Sequence, residues 1–529
     1  MPRYPVSTTL LWLAGVTLVG LVVRAIPVAL ADFPLNDGGL FLTMVMAVEE
    51  ADWALPVSVA WNGTQLPFTY PPLAFYVVGW ADAYLGIDPL ALFRFFPLVA
   101  STLVVPAVFL LGRSLLRSDL GGLTAALAYA VTTGSFVWLV QGGGISRAPG
   151  MLLAVLTLWQ TVHLVRSPTP RRAGATGALA GLTILTHPAA ALFTAISAFL
   201  IWFFEGRSLR SLKFSTAALG VALLVATPWA GAVIQHHGLA GLLDVQNNGP
   251  DPRSTLLAMV VGRLTGNPFV DPLALLGLGM AILCLTRRRF LLPIWLLAAA
   301  FLAWQYAMVP LGLLVGFAAV DLSTLRDSVR RRAAQAGAPA VSGTSRWGPG
   351  LGLGLLGVIL LVEAGAAGLA VLNPGAPLDA LSPERRDAMA WIEANLEDDA
   401  RFAVVTGDSW AVDPDSEWFP VLAQRVSVGT VQGSEWLGGA AFREQLTAHG
   451  TLQACVAEGS GNCVREWLAD WPADYVFIPK GRRHGPNSPP DCCDDLRAGL
   501  LADPAFTRVY DGPGATIFRV NSMAAGTPE

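Results

Sequence analysis

Charged side chains are scarce in this sequence, at 14% of its 529 residues, against about 25% in typical soluble domains. The scarcity excludes an ordinary soluble protein, because hydrophobic residues make up 53% of the chain and cluster in long blocks between residues 8 and 372. Blocks of about 20 apolar residues are long enough for a helix to cross the hydrocarbon core of a bilayer. We therefore predict transmembrane helices, since only regular structure satisfies the backbone polar groups in lipid.

A strongly basic segment is also missing. The formal net charge is −4, and the tail from residue 373 onward holds 23 acidic residues against 12 basic ones. An acidic tail excludes a nucleic-acid-binding extension. We expect membrane lipids, and no nucleic acid, among the partners of this chain.

Basic residues are unevenly divided between the loops that join the predicted helices. A cytoplasmic N-terminus places 17 Lys and Arg residues inside and only four outside before the tail, as the positive-inside rule requires. The sequence therefore predicts a multi-pass plasma-membrane protein with an extracytoplasmic C-terminal domain. About 11 spans are expected at residues 8–30, 90–112, 121–140, 149–166, 174–187, 188–204, 213–234, 271–286, 290–305, 306–321 and 349–372.

The predicted fold class is a polytopic α-helical membrane protein with a C-terminal α/β domain. The membrane domain covers residues 1–322 with a long first outer loop at 31–90, followed by a basic cytoplasmic loop at 323–348 and a last span at 349–372. In the tail, residues 373–529, hydrophobic patterns predict strands at 401–406, 425–431 and 474–479 and a closing hairpin at 507–520. Helices are expected at residues 384–396, 438–448, 464–471 and 494–502.

Four of the five cysteines lie in the tail: Cys455, Cys463, Cys492 and Cys493. In an oxidising compartment they are expected to form two disulfides, for which three pairings exist. Because adjacent cysteines bond each other only with strain, we expect Cys492 and Cys493 each to pair with one of the other two. A zinc site is the alternative, although the spacing fits no zinc-finger pattern.

The loop at residues 31–90 is too long for a mere connector, and such loops usually carry function. Asp37 lies just beyond the first span and precedes two glycines that permit close approach of a substrate. A carboxylate at the membrane surface can deprotonate an acceptor hydroxyl, so we predict that Asp37 is catalytic. The alternatives are a helix cap or a structural ion pair with Arg24.

Three arginines are predicted near the same membrane surface: Arg24, Arg94 and Arg147. Arg24 lies within a span, where an arginine is costly unless it faces a cavity or a partner. Positive charge stabilises a phosphate that departs in a transfer reaction, so we predict that all three bind the phosphate of a membrane-borne donor. The alternative for Arg94 is to anchor the second span, and the glycines before Arg147 can bring backbone amides to a phosphate or merely add flexibility.

Histidine and tryptophan supply further candidates. His187 precedes a proline at the outer end of a span and is a substrate-binding candidate, whereas His236 and His237 are either metal ligands or interfacial residues. The tail places tryptophans among carboxylates, a pattern that suits sugar binding or packing of the tail on the membrane domain: Trp410, Asp413, Asp415, Glu417, Trp418, Glu435 and Trp436.

Several short motifs resemble the GT-C superfamily of membrane glycosyltransferases, especially protein O-mannosyltransferases and lipid A aminoarabinose transferase. They are Asn36-Asp37 after the first span, Tyr70-Pro71-Pro72-Leu73, Arg94-Phe95-Phe96-Pro97 and Leu185-Thr186-His187-Pro188. The resemblance covers residues 8–330 and implies a polyprenyl-phosphate sugar donor, inverting transfer and an extracytoplasmic site. It assigns Asp37 to the catalytic aspartate and makes Tyr70 a substrate-binding candidate.

The chain departs from that pattern in two respects. Many relatives have Asp-Glu or similar at the first acidic position, whereas this chain has Asp37-Gly38. Many relatives carry a second acidic residue in the next outer loop, whereas the loop at residues 141–147 here contains none. The sequence therefore disfavours a divalent metal held by paired carboxylates and indicates no certain cofactor. It also keeps open a non-catalytic protein on the same scaffold, serving envelope polysaccharide assembly or export. A transporter is disfavoured because no internal repeat is present.

Overall fold

The computed structural model describes residues 5–243, 272–335, 347–372, 378–481 and 492–521. Seven described helices are long and apolar enough to cross a membrane: α1 (Val6–Leu30), α4 (Pro89–Leu116), α6 (Gly144–Arg166), α8 (Pro188–Glu205), α9 (Leu209–Leu243), α12 (Trp304–Gln335) and α13 (Trp347–Leu372). Shorter helices complete the bundle: α5 (Asp119–Val131), α7 (Pro170–Ile184), α10 (Pro272–Thr286) and α11 (Leu291–Leu302). A multi-pass helical membrane protein is confirmed, and the number of about 11 spans stays a prediction.

The break expected at His187-Pro188 is present. Helix α7 ends at Ile184, and His187 caps α8 by accepting a hydrogen bond at Nδ1 from the amide of Ala190, at 3.2 Å. Proline at the first position of α8 suits a helix start, because that residue needs no backbone donor.

Two predicted boundaries in the bundle are wrong. The span expected at 121–140 ends early, since α5 stops at Val131 and a 3-10 turn follows at Thr133–Ser135. Thr132 adopts an extended conformation there, with φ −82° and ψ 117°, which a helix cannot continue through. The basic loop expected from residue 323 begins as helix, because α12 runs on to Gln335.

The first-loop segment, residues 31–88, folds as a compact unit between α1 and α4. It contains α2 (Gly39–Glu50), the antiparallel hairpin β1 (Ser58–Trp61) and β2 (Thr64–Pro67), and α3 (Leu73–Leu85). Its own apolar side chains form a core, with Leu40, Phe68 and Phe75 fully buried. The segment therefore has a buried apolar core of its own next to the residues that follow α1.

The C-terminal domain has a five-stranded sheet in the order β4-β3-β5-β7-β6, formed by β3 (Arg401–Val404), β4 (Val426–Ser427), β5 (Tyr475–Pro479), β6 (Phe506–Asp511) and β7 (Ala515–Val520). Its helices are α14 (Pro383–Asn395), α15 (Pro414–Leu422), α16 (Gly439–Glu458), α17 (Gly461–Asp470) and α18 (Asp494–Ala502). The four predicted helices and the closing hairpin are present. The strand expected at 425–431 shrinks to two residues, and α15 was not predicted.

The expected disulfide pairing is wrong. Cys455 bonds Cys463, and Cys492 bonds the adjacent Cys493. Helix α16 ends at Gly459, which takes the left-handed conformation with φ 63° and turns the chain directly into α17. That turn brings the α-carbons of Cys455 and Cys463 to 5.5 Å, within the range of a disulfide.

Candidate active site

A cavity lies where the first-loop segment, the N-terminal ends of α6 and α8, and the C-terminal domain meet. Its empty space is about 630 Å³, the open mouth included. The lining residues are Asn36, Asp37, Phe41, Tyr70, Trp138, Arg147, His187, Trp410, Ala411, Asp413, Glu417, Gln432 and Glu435. Four of the sequence-predicted site residues therefore share one cavity, together with acidic and aromatic residues of the tail.

Asp37 is held by two groups at the start of α6. One carboxylate oxygen accepts from the amide of Gly143 at 2.9 Å, and the other accepts from Arg147 Nη2 at 2.6 Å. An anion at a helix N-terminus is also stabilised by the helix dipole. Both partners remain partly exposed to the cavity, with 22% of the Asp37 side chain and 17% of the Arg147 side chain accessible.

The glycines before Arg147 have a specific role in this contact. A β-carbon on Gly142 would lie 1.8 Å from the carbonyl oxygen of Asp37, and one on Gly143 would lie 2.7 Å from its carboxylate. The amide expected to approach a phosphate thus donates to Asp37 instead. Close approach of two backbones, rather than flexibility, accounts for glycine at these positions.

Arg147 is the arginine that faces the cavity. Its Nη2 group also donates to Gln141 Oε1 at 3.2 Å, and its guanidinium lies 5.7 Å from the ring of Trp138. Its Nε atom is buried without a hydrogen-bond partner among the described residues.

Arg24 and Arg94 lie outside the cavity. Arg24 is fully buried within the bundle and donates to the carbonyls of Gly20 and Ala130 and to Ser135 Oγ, each at 3.0 Å. Arg94 donates to the carbonyls of Val28 and Ala31 at the C-terminal end of α1. The structure gives both arginines structural partners and does not bring them to Asp37.

Tyr70 and His187 also line the cavity, near Arg147. The Tyr70 hydroxyl is 3.0 Å from Ser146 Oγ, and burial raises the pKa of Tyr70 to about 12. Burial, followed by the nearby Arg147 charge, lowers the pKa of His187 to about 3, so the imidazole is neutral. These two side chains offer hydrogen bonds to a ligand without adding charge.

The tail contributes acidic residues that the sequence suggested for sugar binding or for packing of the tail, but not as neighbours of Asp37. Burial, followed by the charge of Asp37, raises the pKa of Glu417 well above its usual value. Burial also raises the pKa of Glu435 to about 7. Carboxyl groups with such shifts are typical of functional clefts. Their presence among tryptophans was visible in the sequence, but their proximity to Asp37 was not.

Other residues of these patterns have structural roles. Asp413 caps α15, accepting from the amide of Ser416 at 3.1 Å, and also accepts from Thr406 Oγ1 at 2.8 Å. His237 contacts the carbonyl of Val57 at 2.8 Å. In the described ranges, no three His, Cys, Asp or Glu side chains form a group that could hold a metal ion.

Comparison with known proteins places these features in a wider context. Residues 69–231 match the family described as dolichyl-phosphate-mannose-protein mannosyltransferase. No curated protein matches the chain in sequence. A similar solved structure is the archaeal oligosaccharyltransferase AglB from Archaeoglobus fulgidus, in complex with an inhibitory peptide and a dolichol-phosphate. It is 13% identical with a TM-score of 0.54, over 88% of this chain and 69% of AglB.

Two further structures are similar over nearly the whole chain. ArnT from Cupriavidus metallidurans, in the apo state, is 13% identical with a TM-score of 0.51, over 97% of each chain. The arabinofuranosyltransferase AftD from Mycobacteria is 15% identical with a TM-score of 0.53, over 97% of this chain and 40% of AftD. All three belong to the GT-C superfamily of membrane glycosyltransferases.

This chain has the GT-C fold. Within it, the family match covers Tyr70, Arg94, Arg147 and His187 but leaves out Asp37 and the whole C-terminal domain. The cavity thus combines residues from the family-matched region with others supplied by the first-loop segment and the tail.

Proposed function

We propose that this protein is a glycosyltransferase that moves a sugar from a polyprenyl-phosphate donor to an extracytoplasmic lipid, glycan or protein acceptor. The observation that carries the proposal is the position of Asp37 in a cavity of the GT-C fold, in contact with Arg147. Transfer of a sugar from a lipid phosphate requires a base that deprotonates the acceptor and a cation that stabilises the departing phosphate.

The proposed reaction is an inverting displacement. Asp37 takes the proton of an acceptor hydroxyl, whose oxygen forms a bond to the anomeric carbon of the donor sugar. The bond from that carbon to the phosphate oxygen breaks, and the polyprenyl phosphate leaves with the electron pair. Arg147 stabilises the charge on the departing phosphate, and the partial exposure of its side chain in the cavity lining supports such a role.

The side of the membrane is supported by the charge distribution along the helices. Helices α4, α6 and α8 begin at the cavity end, whereas basic residues gather where these helices finish or just beyond, including Arg113, Arg117, Arg166 and Arg207. Basic ends face the cytoplasm in membrane proteins. The cavity and the C-terminal domain are accordingly extracytoplasmic in this proposal.

Replacing Asp37 with asparagine tests the function. Purified protein in lipid vesicles is supplied with a panel of polyprenyl-phosphate sugars and acceptors, and release of polyprenyl phosphate is measured. We expect the Asp37→Asn variant to lose about 10²–10⁴-fold in turnover, because a general base contributes about that much. Thermal stability should change little.

Asp32→Asn is the matched control. Asp32 lies five positions earlier in the same segment and forms an ion pair with Arg386 at 2.6 Å, outside the lining of the cavity. Its replacement should leave turnover unchanged. Equal turnover in wild type and the Asp37→Asn variant would contradict the proposed function and favour the non-catalytic alternative.

A further inference from the structure

Asp37 sits in a short irregular segment between α1 and α2. Asn36 has a left-handed backbone with φ 55°, and Gly38 has φ 138°. The start of α6 holds the Asp37 carboxylate through Gly143 and Arg147, and Gly142 donates to the carbonyl of Leu35 at 2.9 Å. These contacts do not involve Asn36 or Gly38, the residues on either side of Asp37. The position of the Asp37 carboxylate therefore depends on additional contacts to its neighbours.

The C-terminal domain supplies those contacts. The amide of Asn36 donates to the carbonyl of Asp379 at 2.7 Å, beside an isolated antiparallel bridge between Leu35 and Ala380. The Asn36 side chain donates to the carbonyl of Ala411 at 3.0 Å. Two side chains of α15 form further hydrogen bonds with Asn36 and Gly38, the residues on either side of Asp37.

Trp418 of α15 holds the residue before Asp37. Its indole Nε1 donates to the carbonyl of Asn36 at 3.0 Å, and the side chain is fully buried. The ring packs edge-on against Phe33, with 4.7 Å between centroids. An indole has a single hydrogen-bond donor, and in Trp418 the carbonyl of Asn36 accepts from it.

Glu417 holds the residue after Asp37. Its Oε1 accepts from the amide of Gly38 at 3.3 Å, at the start of α2, where no capping side chain exists in the adjacent sequence. A β-carbon on Gly39 would lie 2.6 Å from the carbonyl oxygen of Glu417. The two glycines after Asp37 thus permit α15 to approach the segment closely.

The electrostatic state of Glu417 suits a holding role. Burial and the charge of Asp37 raise the pKa of Glu417 well above its usual value, which favours the neutral carboxyl. A neutral carboxyl still accepts a hydrogen bond, and it does not repel the phosphate of a donor beside Asp37.

We propose that Glu417 and Trp418 are positioning residues, through which the C-terminal domain sets the orientation of Asp37 toward Arg147. The proposal rests on the proposed function, because it assigns Asp37 the role of base. The tail is then part of the active site rather than an appended domain.

The test compares variants of the full chain in vesicles, with kcat and KM measured for a polyprenyl-phosphate sugar donor. Trp418→Phe removes the indole donor together with part of the buried ring, and we expect kcat to fall by about 5–10-fold, the value of one hydrogen bond. Glu417→Ala should lower kcat by at least about 10-fold, with donor KM nearly constant. Glu417→Gln should restore nearly full kcat, since an amide oxygen also accepts from Gly38.

Trp467→Phe is the matched control, because Trp467 Nε1 donates to the carbonyl of Ala448 at 2.9 Å within the C-terminal domain. It should lower thermal stability and leave kcat unchanged. An equal loss of kcat in Trp418→Phe and Trp467→Phe would overturn the proposal for Trp418. If Glu417→Gln were as inactive as Glu417→Ala, the proton of Glu417 would take part in the reaction and the positioning role would be wrong.

The Glu417 variants keep the proposal testable if Trp418→Phe fails to fold. The Asp37→Asn variant, measured alongside, distinguishes failure of the proposed function from failure of the positioning role. Full activity of that variant refutes the proposed function itself. Loss of activity in Asp37→Asn, together with wild-type behaviour of Trp418→Phe and Glu417→Ala, refutes only the positioning role.

Discussion

Two arginines of the helical bundle, one fully buried and one partly exposed, differ in the partners they meet. Arg24, deep between α1 and α5, donates to backbone carbonyls and a serine hydroxyl, and all of these oxygens belong to the bundle itself. Arg147, at the cavity wall, bonds the carboxylate of Asp37 and the amide oxygen of Gln141. The depth of a charge in a membrane protein therefore does not identify a functional site, whereas the chemistry and exposure of its partners do.

The sharpest test of this comparison applies the same substitution to both arginines. Arg147→Met should lower kcat by about 100-fold, the usual cost of losing a donor that stabilises transition-state charge, and leave thermal stability nearly constant. Arg24→Met should lower the free energy of unfolding by about 1–3 kcal/mol, since buried carbonyls lose their donor, while the folded fraction keeps its kcat. Turnover and thermal stability are measured in parallel for both variants. Equal changes in kcat and stability for the two would contradict the difference proposed between these arginines.

A second test concerns Tyr70 in the cavity wall, where the expected loss of activity is smaller than for Arg147. Its phenol stays protonated because burial raises the pKa to about 12, so it acts as a neutral hydrogen-bonding group, whose hydroxyl lies 3.0 Å from Ser146 Oγ. Tyr70→Phe should lower kcat/KM by about 3–10-fold, the value of one hydrogen bond. Ser146→Ala should show a similar loss, and the double variant should lose no more than either single one. Additive losses would show that the pair does not act as a unit.

The last test concerns stability, and it asks whether burial of Glu435 in the cavity wall lowers the free energy of unfolding. Burial raises the pKa of Glu435 from 4.5 to about 7. Between these values the folded state binds more protons than the unfolded state, so ionisation of Glu435 opposes folding and stability falls as the pH rises from 4.5 to about 7. In melts across this range, wild type should lose stability relative to Glu435→Gln and then show a constant difference above pH 7. A difference independent of pH would contradict this assignment.

Much of the architecture was predictable from local pattern. The break before α8 follows from His187-Pro188, and α14 follows from its capping residue Ser382 and from apolar spacing. The closing hairpin β6–β7 follows from two apolar runs around a turn. These features depend on residues close in sequence, which is why composition and periodicity reveal them.

The site was only half predictable for the opposite reason. Asp37 and Arg147 were identified from their places at span ends, but Glu417 meets the amide of Gly38 across 379 positions of sequence. Such a contact depends on how the C-terminal domain docks, and no local pattern specifies that. The partners of Arg24 are mostly backbone carbonyls, which every residue has, so the sequence could not distinguish a structural arginine from one that binds a ligand.

The glycines at 142 and 143 have a practical consequence for anyone wishing to alter this protein. A methyl group at either position would meet an oxygen of Asp37, so even alanine, normally the mildest replacement, would push two chain segments apart. Libraries meant to change sugar preference should hold both positions fixed and vary Trp138, Trp410 or Gln432 instead. Substitutions are better tolerated among the side chains that line the cavity than where the backbone at residues 142 and 143 packs against Asp37.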